Sequence, residues 1–165
     1  MLIGMCWRTG FYRCCRRSVR LAGGLALAAA LASPGALAAL GADAASVEAD
    51  RLHMHAELQT SQAPLYAVHE MLTAQGTTVR EFVSSGGMVF AVAWHGPFMP
   101  DLRQLLGVHY DHYVNAPRLP GSSRSSGHIA DEDLIVHSHG HARSFAGVAV
   151  VAALLPPGVA IDELR

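Results

Sequence analysis

The 165-residue chain contains no lysine, and its three cysteines, Cys6, Cys14 and Cys15, all lie near its start. Beyond position 38 there is no cysteine, which excludes disulfides, thiolate zinc sites and cysteine nucleophiles from that part. No cysteine stands at the end of the early apolar stretch either, so a lipid anchor there is not expected. Positive charge is also scarce. Of the 12 arginines, Arg8, Arg13, Arg16, Arg17 and Arg20 precede the apolar stretch; the seven that remain face 13 acids, a balance of −6 with histidines neutral. That balance excludes a basic nucleic-acid surface. Beyond position 38 the longest apolar run, Phe145 to Leu155, has 11 residues with Gly147 counted. A helix needs roughly 20 to cross a bilayer, so no transmembrane segment is expected after residue 38. No P-loop or dinucleotide fingerprint occurs, and the serine-rich stretch from Gly121 to Gly127 lacks the strand-to-helix context of a nucleophile elbow.

What is present begins with the five arginines, an apolar stretch from Leu21 to Ala32, the helix-breaking Ser33, Pro34 and Gly35, and the small-x-small site Ala36 to Ala38. This layout predicts a signal peptide over residues 1–38 and an exported protein, periplasmic or secreted. The Arg16 and Arg17 pair raises twin-arginine export, but Arg20 stands where that signal wants an apolar residue, which favours the general route. The 127 residues from 39 to 165 suit a single domain with one hydrophobic core. All 10 histidines fall in it, and their full protonation would carry its charge from −6 to +4.

Hydrophobic patterning predicts an α+β fold. Gly41 to Gln59 reads as a short helix with Asp43 or Ser46 as cap, and Thr60 to Pro64 as a polar break. Tyr66–Leu72, Thr77–Val83 and Met88–Trp94 read as a β-meander joined by Gln75 and Gly76 and by Ser84 to Gly87. The third run is apolar on both faces, which places it centrally with cover on each side. A helix follows Pro100, with Leu102, Leu105, Leu106, His109 and Tyr113 on one stripe and Gly107 able to end it. Residues 117–127 read as a flexible loop, and Asp133–Ser138 with Ala142–Leu154 as a hairpin. The expectation is an antiparallel sheet of about five strands, in the order β-meander, helix, β-hairpin, with one or two helices on one face.

The runs Val79–Val83 and Val89–Trp94, the pair Gly96 and Pro97, and Met99–Gly107 resemble a bacterial family catalogued as domain of unknown function 2844. Ala39–Gly41 and Leu154–Gly158 are similar to it as well, so the resemblance spans roughly 39–165. It implies a small exported protein and assigns no activity, cofactor or catalytic residue.

Three groups are candidates for chemistry. His137, His139 and His141 are two apart; on one continuous strand they would share a face and could gather Zn²⁺ or Cu²⁺, whereas a turn at His139 and Gly140 would scatter them. His109 and His112, near Asp111, have helical spacing for a shared metal but read more simply as a wet helix flank. Asp131 to Asp133 could hold Ca²⁺, with a solvated strand entry as the simpler reading. Trp94, Phe98, Met99 and Arg103 surround a rigid Gly-Pro turn and form the candidate surface for a ligand or partner, though Phe98 and Met99 could equally cap the core. The combined expectation is a small exported binding or interaction module rather than an enzyme, with a histidine-based metal-binding protein as the alternative and a small His/Asp hydrolase third. Its partner would be an envelope protein or a small ligand.

Overall fold

The computed structural model describes residues 40–117, 126–130 and 133–165, all within one compact unit. The signal-peptide expectation for residues 1–38 lies outside these residues, as do positions 118–125 of the expected loop and Asp131 and Glu132. Among the described residues the chain forms seven strands: β1 (Glu57–Gln62), β2 (Tyr66–Leu72), β3 (Thr78–Ser84), β4 (Val89–Gly96), β5 (Ser126–Ala130), β6 (Leu134–His141) and β7 (Ser144–Val151). They make one sheet in the order β1-β2-β3-β4-β7-β6-β5, antiparallel throughout. Three short helices complete it: α1 (Ser46–His53), α2 (Leu102–Leu106) and α3 (Tyr110–Asn115).

The expected α+β class and antiparallel sheet hold, but the strand count is corrected from about five to seven. The first addition, β1, lies where the sequence suggested the end of a helix and a polar break. Five of its six residues are exposed, so neither face imprints the alternation by which a half-buried strand is recognised. The second, β5, starts inside the expected loop and pairs with β6 from Ser126 to Ala130. The first helix is shorter than expected; His55 takes a φ of +49°, which ends helical geometry just past His53. After Pro100, Asp101 caps α2 by accepting from the backbone N–H groups of Arg103 and Gln104. Gly107, with φ +49°, ends α2 early, and one 3-10 turn over Gly107–His109 leads into α3. No helix among the described residues is long and apolar enough to cross a membrane.

Side-chain alternation splits the sheet into two faces. Met71, Val79, Val83, Val92, Trp94, Val136 and Ala149 point to the face covered by the helices, where Val47, Leu105 and Leu106 pack on them. Phe82, Phe90, Ala91, Ala93, Val148 and Val150 point to the other, which is covered at one end by the C-terminal segment through Leu155, Val159, Ile161 and Leu164. Burial of each such side chain contributes about 1.5–3 kcal/mol, so the covered regions carry the stability. As expected from its composition, β4 is the central strand and buried on both faces, with only His95 exposed.

The two central strands meet most tightly where Trp94 pairs with Gly147. A Cβ on Gly147 would collide with Trp94 Cζ2 and lie 2.9 Å from the His137 carbonyl oxygen, so the indole packs directly against bare backbone. Gly147→Ala is therefore expected to cost about 1–3 kcal/mol by overpacking a buried ring. Urea unfolding checks this, with the exposed Val108→Thr as a control that stays near wild type.

Candidate functional site

The helix-free face changes character along the strands. One rung, Val68–Phe82–Ala91–Val150–Ile135, is apolar and lies under the C-terminal segment. The next is Glu70–Arg80–Ala93–Val148–His137–His128, and the one beyond it includes Thr78–His95–Ala146–His139. Directly paired residues project to the same side, so these rungs put small apolar side chains in the middle and basic ones on either flank. The result is a trough of about 370 Å³ with Ala146 and Val148 on its floor. Arg80 and His95 form one wall; His128, His137, His139 and Arg165 form the other. Trp94, Ser138 and Gly147 also border it, by their main chain, because alternation sends the Trp94 and Ser138 side chains to the helix face.

One histidine of the second wall, His137, is held in a defined protonation state. An Arg165 Nη2 lies 2.9 Å from His137 Nδ1, and a guanidinium can only donate, so Nδ1 accepts and the ring proton sits on Nε2. Burial, then the nearby charges of Arg165 and His128, push the His137 pKa below that of a free imidazole, with Asp162 opposing. His137 is therefore neutral at pH 7. His128 meets its ring edge-on at 5.1 Å, and Arg165 also pairs with the exposed Asp162 at 3.2 Å. No acid is among the described residues lining the trough.

A different cluster lies under the helices. Asp50 of α1 and Glu81 of β3 are both fully buried, and Gln104 of α2 donates from Nε2 to Asp50 Oδ1 at 2.7 Å. With both acids ionised, Asp50 Oδ2 and both Glu81 oxygens would be buried without a partner. One proton shared between them removes most of that cost. It resides on Glu81, whose pKa burial and the adjacent Asp50 raise to about 9. Burial also raises Asp50, against the hydrogen bonds from Glu81 and Gln104. The pair ties α1, α2 and β3 together, and its full burial leaves no room for a substrate.

A family of proteins of unknown function, DUF2844, matches residues 36–164. The chain belongs to that family. No curated protein and no solved structure matches it. The DUF2844 match covers every described element, so the buried acid pair and the trough apart from Arg165 lie within the family domain.

The residues singled out from the sequence separate in this DUF2844 domain. Trp94 is buried on the helix face and does not join the exposed Phe98 and Met99. Phe98 and Met99 line a shallow cavity of about 350 Å³ with Met54, Thr73 and Thr77. Thr77 Oγ1 donates to the Phe98 carbonyl at 2.9 Å and fixes that segment. Arg103 instead lies over the Tyr110 ring, 4.4 Å from its centroid. The turn weighed at His139 and Gly140 is not there: β6 runs through His141, and Ala142 and Arg143 make the turn, with Arg143 at φ +61°. His137, His139 and His141 thus share the helix-free face. Arg165 occupies His137 Nδ1, however, and among the described residues no three His, Cys, Asp or Glu side chains gather as a metal site. His109 and His112 bracket the start of α3; burial lowers the His109 pKa, with His112 adding to the effect and Asp133 opposing it.

Sequence reasoning missed the trough because Arg80 and His95 become neighbours of His137 only through the β4–β7 pairing, and Arg165 only through the return of the C-terminal segment over the sheet. The one available signal was His95, a polar residue closing an otherwise apolar strand.

The acid pair yields a stability profile with a definite sign. Glu81 binds its proton more tightly folded than unfolded, so its contribution is complete below about pH 4.5 and is lost as pH rises to about 9. Between pH 5 and 8 this amounts to roughly 2–4 kcal/mol, opposed at the acid end by His69, His109 and His137, whose lowered pKa values favour folding at higher pH. Glu81→Gln keeps a donor toward Asp50 and removes the titration. Its denaturant stability should exceed wild type at pH 8 and change less with pH, an outcome checked by urea unfolding at pH 5, 6.5 and 8.

Proposed function

We propose that this DUF2844 protein is an exported, non-catalytic binding module that takes a small anionic ligand with an apolar body in the trough. The observation that carries the reading is the trough's lining: an apolar floor between two basic walls, with no acid among the described lining residues. Its volume of about 370 Å³ lies at the small end of ligand sites. An anion between Arg80 and Arg165 would gain charge-assisted hydrogen bonds while its body displaces water from Val148 and Ala146. Ser138, the serine among the described lining residues, turns its side chain to the helix face, and this supports binding over catalysis.

Export rests on the arginine-rich start, the apolar stretch and the small-x-small site. Fusion of residues 1–38 to a reporter that is active only outside the cytoplasm should give signal, and deletion of Leu21 to Ala32 should abolish it.

A bound anion favours protonation of His137, which is neutral in the free protein, so binding takes up a proton. Affinity for an anionic ligand such as octanoate should therefore rise as pH falls from 8 to 6, by roughly threefold to tenfold. Isothermal titration calorimetry in buffers of different ionisation heat measures both the affinity and the proton uptake. Equal affinity at both pH values would remove His137 from the site. Retention of Zn²⁺ or Cu²⁺ by untagged protein, lost on substitution of His137, His139 and His141, would favour the metal-binding alternative instead.

A further inference from the structure

We infer that the ligand of the trough is a linear dianion with an anionic group at each end of an apolar spacer, an α,ω-dicarboxylate of medium chain length. This rests on the trough being the binding site, and it follows from how its charges are spaced.

Arg80, Ala93, Val148 and His137 stand on one rung, on β3, β4, β7 and β6. Three strand spacings separate the first from the last, about 14 Å between backbones. His95, Ala146 and His139 on the adjacent rung repeat the pattern across two spacings, about 10 Å. The basic groups are thus gathered at two poles, Arg80 and His95 against His128, His137, His139 and Arg165, and between them lie Ala146, Gly147, Val148 and the main chain of Trp94. A compact anion such as phosphate can satisfy one pole and leaves the other bare. A fatty monocarboxylate satisfies one pole and places its apolar end beside the charges of the second. A dicarboxylate with a polymethylene spacer meets both poles and lays its chain on the floor.

The neighbouring acids do not cancel this pattern. Glu70 pairs in register with Arg80 but does not line the trough, and Asp162, the partner of Arg165, is 83% exposed and readily exchanged for a ligand carboxylate. The spacer length is bounded as well. Arginine and histidine side chains of both poles line the cavity and take up part of the span between the backbones, so the carboxylates stand closer than the backbones, which selects chains of about six to nine carbons rather than succinate.

The test uses calorimetry at pH 6.5 on the protein beyond residue 38, with adipate, suberate and azelate as probes against succinate, hexanoate, octanoate and nonanoate. Suberate or azelate should bind at least tenfold more tightly than the monocarboxylate of equal length. Arg80→Gln at one pole and His139→Gln at the other should each erase most of that margin. His139 is exposed, so its variant keeps the test open should Arg80→Gln fold poorly. If octanoate binds as tightly as suberate, the two-pole inference fails while the anion-binding reading stands. If no probe binds, or if binding survives both substitutions unchanged, the inference and the reading of the trough fail together.

Discussion

The close contact between β4 and β7 at Trp94 and Gly147 is the constraint on which both faces of the sheet depend. These strands join two separate meanders, β1–β4 and β5–β7, and only one register lets the indole lie on a residue without a side chain. A shift by one residue would exchange every inward and outward position of the second meander. The helix face would then receive Val148 and His137, and the basic wall would turn under the helices. The same pairing that buries Trp94 therefore sets His95 beside Ala146 and brings Arg80 within reach of the histidines of β6.

The trough also depends on where the second cover stops. The C-terminal segment lies over the aromatic and aliphatic rung around Phe82, Phe90 and Val150 and extends no further along the strands. Beyond its edge the sheet switches to alanine at Ala93 and Ala146. Small residues in the middle and long basic ones on the flanks turn a nearly flat face into a concave one. Arg165, from that same segment, closes the end by holding His137.

Much of this was legible in the sequence where one face of a strand is buried. β2, β3 and β4 follow their turn residues and apolar content within a residue or so, and the doubly apolar β4 announces its central place. The edge strands were not legible, since β1 faces solvent on both sides and β5 follows a serine-rich stretch. The helix after Pro100 was readable from its stripe and from the glycine that interrupts it. The candidate surface around the Gly-Pro turn dispersed because spacing in sequence does not report the sheet face: Trp94 and His95 are adjacent, yet one serves the core and the other the trough. The histidines of β6 were visible as a group, but their arginine neighbours arrive from β3 and the C-terminal end, 57 and 28 residues from His137.

The acid pair beneath the helices gives the protein an unusual acid–base character as a whole. Glu81 is an ordinary carboxylate in the unfolded chain and a carboxylic acid in the folded one. Near pH 8, where His69, His109 and His137 have little proton left to release, each molecule must draw close to one proton from its surroundings as its helices dock on the sheet. The heat released on folding then includes the ionisation heat of whatever buffer supplies that proton, and a concentrated refolding sample turns slightly more alkaline as it folds.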